Sequence, residues 1–123
     1  MDNDKKHILL IDDDSVVLQA GKMILSDSYQ ITTASSAENI LELVKTNKPD
    51  LILLDIIMPN INGYEAIKIL KEDPEIREIP VIFLSGKTEV NAKLEGYSLG
   101  AVDYITKPFD PDALLSRIKL GLM

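Results

Sequence analysis

Short apolar runs alternate along this chain with stretches of helical period. HILLI at His7–Ile11, DLILL at Asp50–Leu54 and VIFL at Val81–Leu84 are apolar on both alternating faces. A strand covered on both sides of a parallel sheet needs that pattern, although a buried helix segment can share it. Tyr29–Thr33 and Val102–Thr106 are weaker strand candidates. Between the runs, Ser35 and Glu38 have capping-box spacing ahead of a stripe of Ile40, Leu41, Leu43 and Val44. Asp110 and Pro111 read as N-cap and first helical residue, with Leu114, Leu115, Ile118 and Leu122 at helical spacing behind them. Val16–Leu25, Tyr64–Leu70 and Val90–Tyr97 are the remaining helix candidates. Strand and helix thus alternate about five times, which predicts an α/β fold with helices on both faces of a parallel sheet. Right-handed crossovers bring all strand carboxyl ends to one edge, and the functional site is expected there.

Composition narrows the partners. A chain of 123 residues, 46% hydrophobic and 27% charged, is expected to be a single domain spanning 1–123, with 1–6 (MDNDKK) a polar tail. Thirteen Lys and Arg against 20 Asp and Glu give a formal charge of -7, which argues against direct nucleic-acid binding and favours cations and basic protein surfaces. The absence of Cys excludes disulfides and thiolate chemistry and fits a reducing compartment. No apolar stretch has the length of a membrane span or a secretory signal, so the expected location is cytoplasmic.

The residues that follow the apolar runs carry the candidate chemistry: Asp12, Asp13 and Asp14 after the first, Asp55 after the third, Ser85 after the fourth and Lys107 beyond the fifth. Carboxylates gathered at one rim repel each other and call for a cation or shifted pKa values. A few carboxylates, with other positions left to water and phosphate oxygens, suit Mg²⁺ better than a Ca²⁺ cage, and one His with no Cys argues against zinc. A carboxylate screened in this way can attack a phosphoryl group and form an aspartyl phosphate, with a Lys ammonium and a Ser hydroxyl holding the other oxygens. Blander roles are available to each residue. An acidic cluster also caps helices, and one of Asp12 to Asp14 is expected to do so. Ser85 with Gly86, or Lys107 with Pro108, taken alone reads as a turn. Asp55 resists that account, because an acid ending a buried strand is costly unless paired or functional. His7 reads as a strand-edge residue without chemical role, and Tyr104 and Phe109 as core or rim aromatics.

Together, ILLIDDDS, LILLDIIMPNINGYE, VIFLSGK and GAVDYITKPF, in this order and spacing, resemble the receiver domain of bacterial response regulators from His7 to about Leu120. The resemblance implies a flavodoxin-like (βα)5 three-layer sandwich with a five-stranded parallel sheet of order 2-1-3-4-5. It implies Asp55 as phosphoacceptor; Asp13, Asp55 and the Ile57 backbone carbonyl as direct Mg²⁺ ligands, with Mn²⁺ as a substitute; and Asp12 as a ligand through water. Lys107 pairs with the acceptor, and its bond to Pro108 is a candidate cis peptide. Ser85 is the switch hydroxyl and Tyr104 the aromatic that fills the space it vacates. The surface of the fourth helix, fifth strand and fifth helix then changes its affinity for partners. Ile57 and Lys87, two positions after acceptor and switch, tune phosphoryl lifetime. The implied partners are a sensor histidine kinase or histidine phosphotransfer protein, and a downstream protein or an output domain. VDYITKPF with Arg117 is similar to receivers that form homodimers, a feature common surface charges also explain.

Three rivals compete. A phosphatase of the haloacid-dehalogenase type would use Asp12 as nucleophile and Asp14 as acid/base, but leaves Asp55 and the KPF segment unexplained. A pseudo-receiver is an interaction module without phosphorylation, disfavoured because Asp12, Asp13, Asp55, Ser85 and Lys107 are all present. A flavin module lacks its phosphate loop after the first strand.

Overall fold

Each apolar run becomes a strand. The computed structural model describes residues 5–86, 95 and 97–123. Its elements in chain order are β1 (His7–Ile11), α1 (Ser15–Leu25), β2 (Gln30–Ala34), α2 (Ile40–Asn47), β3 (Leu51–Asp55), α3 (Gly63–Glu72), β4 (Val81–Ser85), β5 (Asp103–Thr106) and α4 (Pro111–Gly121). Glu95, Tyr97 and Ser98 are also helical, and the chain turns at Gly100, where φ is 107°. The rest of the helix predicted over Val90–Tyr97, together with Lys87 and most of the polar tail, lies outside the described residues. Among the described residues no helix is long and apolar enough to cross a membrane.

The strands form one parallel sheet of order β2-β1-β3-β4-β5, the flavodoxin-like arrangement. β3 and β4 are buried throughout, whereas the edge strand β2 is only half-covered, so its sequence lacks their continuous apolar run. Side chains leave a strand on alternate faces. Leu9, Ile52, Leu54, Phe83 and Tyr104 therefore pack in one core layer with Ile40 and Val44 of α2 and Ile67 and Leu70 of α3. Leu10, Leu53, Ile82, Leu84 and Ile105 pack on the other side with Leu25 of α1 and Leu114 and Ile118 of α4.

Helix ends depart from expectation at one point. Asp14 caps α1 by accepting from the Val16 N–H, and Asp110 caps α4 by accepting from the Ala113 N–H, with Pro111 in the first turn. Ser35 and Glu38, however, form no capping box. The Ser36 hydroxyl accepts from the Glu38 N–H at 3.1 Å and donates to the Glu38 carboxylate at 3.4 Å, which satisfies the segment as a turn and delays α2 to Ile40. Leu41 falls at the margin of the stripe and is partly exposed. The capping box occurs instead at α3: Asn62 accepts from the Glu65 N–H at 2.9 Å, and Glu65 accepts from the Asn62 N–H at 3.1 Å. Val102, predicted to open the last strand, is 51% exposed and precedes it. We expect Asn62→Ala to lower the unfolding free energy in urea by about 1 kcal/mol. Ser35→Ala should stay within roughly 0.5 kcal/mol of the parent.

Candidate functional site

Three side chains meet beneath the carboxyl edge of the sheet. β1 lies next to β3, so Asp12, just past Ile11, comes beside Asp55 at the end of β3. β4 separates β3 from β5, and a residue after β5 must reach across the β4 end to touch either acid. Lys107 has the reach. Its ammonium donates to Asp12 Oδ2 at 2.9 Å and to Asp55 Oδ1 at 3.1 Å. Asp12 is fully buried and Asp55 nearly so, while Asp13 stands exposed above them. One carboxylate oxygen from each of Asp12, Asp13 and Asp55 lies within 4.8 Å of the others. Asp12 Oδ1 also accepts from the Asp14 N–H at 2.9 Å. Among the described residues, every buried side-chain polar atom has a hydrogen-bond partner.

The neighbouring backbone is tightly tied. Ser85 ends β4 in register with Thr106, and its carbonyl accepts from the Lys107 N–H at 2.8 Å, just before the cis Lys107–Pro108 bond. On the other side, the Gly63 N–H donates to the Ile56 carbonyl at 2.8 Å, drawing α3 against the end of β3. A Cβ at Gly63 would lie 2.5 Å from the Asp55 carbonyl oxygen and 2.8 Å from Ile56 Cα, so only glycine permits this approach. Gly63 has no reactive group and was not among the candidate residues; the Asn62-Gly63 pair, a turn signal, is its only trace in the sequence.

Most of the strand-end residues converge. Asp12, Asp13, Asp55 and Lys107 form one cluster, and Ser85 is buried at the same edge. Ile57 is 60% exposed in the loop after Asp55. Tyr104 is buried in the core layer on the α2 and α3 side of the sheet. Asp14, the acid/base of the phosphatase reading, is occupied as the α1 cap, and Asp12 shares the Lys107 ammonium with Asp55. Arg117 bonds Asp103 of its own chain at 2.6 Å. His7 sits at the opposite sheet edge, its ring within hydrogen-bond distance of Thr32 Oγ1 and the Asn47 carbonyl. Lys87 lies outside the described residues.

Electrostatics at the cluster are frustrated. Burial, then the negative charge of Asp12, raises the Asp55 carboxyl from 3.8 to about 6, with Lys107 opposing and Asp13 adding a smaller push. Burial disfavours the Lys107 ammonium, but its bonds to Asp12 and Asp55 outweigh that and raise its pKa. Because the folded pKa of Asp55 exceeds the unfolded one, the native state binds more protons between the two values. Its contribution to stability therefore falls as pH rises from about 4 to about 6 and stays unfavourable above. Asp55→Asn should raise the stability of chelator-treated protein at pH 7.5 by on the order of 1–3 kcal/mol, with a smaller gain near the ordinary carboxyl pKa; denaturant titrations at the two pH values check this.

Known proteins share both the sequence pattern and the architecture. Residues 8–119 match the family model described as the response regulator receiver domain. The transcriptional regulatory protein YvrH of Bacillus subtilis is 39% identical over 117 residues, covering 94% of this chain and 48% of that protein. The phosphate regulon transcriptional regulatory protein PhoB of Pseudomonas aeruginosa is 37% identical over 118 residues, covering 95% and 52%. The chain thus spans about half the length of these curated relatives. Among solved structures, the receiver domain of Francisella response regulator 1452 aligns with a TM-score of 0.87 at 33% identity, covering 96% of this chain and 97% of that one. Chemotaxis protein CheY4 of Vibrio cholerae aligns at 0.89 and 28% identity, covering 96% and 99%. With the family model matched over residues 8–119, this chain belongs to the receiver domain family of two-component response regulators.

Proposed function

We propose that Asp55 accepts a phosphoryl group from a histidine kinase or histidine phosphotransfer protein in the cytoplasm, and that the domain spans 1–123 as a single unit. The observation that carries this is the nearly buried Asp55 carboxylate, held at 3.1 Å by Lys107 beside a second buried acid and an exposed one. Asp55 is anchored by Lys107, and one of its oxygens lies within 4.8 Å of one from the exposed Asp13. In the reaction, an Asp55 carboxylate oxygen attacks phosphorus, the bond from phosphorus to the donor nitrogen breaks, and the imidazole nitrogen takes up a proton.

The oxygen-only donor set of Asp12, Asp13 and Asp55 fits a hard divalent cation such as Mg²⁺, or Mn²⁺ in its place. Asp13, Asp55 and the Ile57 backbone carbonyl would hold it directly, and Asp12 through water. When bound, such an ion neutralises charge on carboxylate and phosphoryl oxygens. Lys107 supplies a second positive charge, already oriented by Asp12, and Ser85 offers its hydroxyl to a phosphoryl oxygen. The movement of Ser85 lets Tyr104 change place, and the face built from the helix predicted over Val90–Tyr97, β5 and α4 passes the signal to a protein target or output domain. The chemistry is confined to the domain's own phosphorylation and dephosphorylation.

Lifetime control falls to Ile57 and Lys87. Ile57 cannot orient an attacking water, so the phosphoryl group should persist.

Two measurements test this reading. Incubation with acetyl phosphate and Mg²⁺ should add one phosphoryl mass to the wild type, no adduct to Asp55→Asn, and none with chelator present. An adduct that persists in Asp55→Asn would displace Asp55 as acceptor. Ile57→Asn should shorten the adduct half-life severalfold, and an unchanged half-life would remove the lifetime role of Ile57.

A further inference from the structure

Tyr64 joins the acceptor loop to β4, the strand beside the one that carries Tyr104. It is the second residue of α3, immediately after Gly63, whose amide is bound to the Ile56 carbonyl and whose missing Cβ lets the helix abut the Asp55 backbone. The capping box of Asn62 and Glu65 fixes the same turn. The position of the Tyr64 backbone is therefore tied to that of the phosphoacceptor strand end. Its ring meets Phe83 of β4 edge-on, with centroids 5.5 Å apart and planes at 86°. Phe83 in turn registers with Tyr104 of β5, and both belong to the core layer against which Tyr64 packs. Strand alternation puts Ser85 on the same face as Phe83. Ser85, Phe83, Tyr104 and Tyr64 thus share one side of the sheet, and Tyr64 is the only member of the group supplied by the acceptor side.

We propose that Tyr64 is a positioning residue that holds Tyr104 in its buried resting place and links that placement to the state of the Asp55 loop. This rests on the reading that Tyr104 changes place when Asp55 is phosphorylated. Tyr104 is 5% exposed, so leaving its site requires the surrounding layer to yield, and Tyr64 and Phe83 form an aromatic part of that layer. The Tyr64 hydroxyl lies within electrostatic reach of both Tyr104 and Glu95, which, after burial, help to raise its pKa. A resting state favoured by Tyr64 must be overcome when a phosphoryl group or its mimic binds. Weakening the hold therefore shifts the population toward the active placement and tightens the mimic's apparent affinity.

The test uses the whole chain labelled with 3-fluorotyrosine. Its four tyrosines give four ¹⁹F lines, and Tyr104→Phe identifies that of Tyr104. Spectra are recorded with Mg²⁺ across a beryllofluoride titration. Tyr64→Phe retains a ring, so its ring-current effect on Tyr104 changes little. In this variant the resting Tyr104 line should move toward its activated wild-type position. Tyr64→Leu, which removes the ring, should lower the half-saturating beryllofluoride concentration by about threefold. Either result supports the positioning role, because a purely structural contact would lower the melting temperature without moving the line or the affinity. If the wild-type line responds to beryllofluoride while both variants match wild type in line position and affinity, the Tyr64 inference is overturned and the switch reading stands. A wild-type Tyr104 line that stays put at saturating beryllofluoride removes the switch reading and the Tyr64 inference together.

Discussion

The bridge from the Lys107 ammonium to Asp12 and Asp55 is the interaction on which the site depends. Two acids at the ends of adjacent strands, both shielded from water, would repel strongly in the low effective dielectric of the interior. One ammonium at 2.9 and 3.1 Å relieves part of that repulsion but cannot neutralise three carboxylates. Burial, and then this remaining repulsion from Asp12, keeps the Asp55 carboxyl hard to ionise. The remaining negative charge is directed to the edge where Asp13 is exposed. That surplus suits a hard cation, which under the proposed function would leave the Asp55 carboxylate flanked by positive charge.

The parallel sheet makes this arrangement possible. All its strands run the same way, so residues from β1, β3, β4 and β5 emerge at one edge even though Asp12 and Lys107 are 95 residues apart in the chain. The apolar layers on both faces keep the strand ends close and exclude water from below. Gly63 completes the frame by bringing α3 against the Asp55 backbone, a contact any larger residue would push apart. Fold stability and chemical readiness thus pull in opposite directions at Asp55, as expected where a functional group is kept in an unfavourable environment.

Much of this was legible in the chain because strand ends leave a local mark. Asp55 and Ser85 follow apolar runs that could be recognised without neighbours, and Lys107 precedes a proline where a strand must end. Other features depend on long-range geometry. Nothing local indicates that Lys107 reaches Asp12 as well as Asp55, since that follows from β1 lying next to β3 in the sheet. Ser35 and Glu38 carry the spacing of a capping box, yet the Ser36 hydroxyl claims the Glu38 amide first. Tyr64 looks like an ordinary apolar helix residue until its ring is seen against Phe83.

Thermal unfolding of wild type and Asp55→Asn as Mg²⁺ is added to chelator-treated protein tests the central claim most directly. If the cluster is an acid site left short of positive charge, Mg²⁺ raises the wild-type midpoint in a saturable way and raises that of Asp55→Asn far less. Equal rises in the two proteins, or no rise in the wild type, would contradict the account.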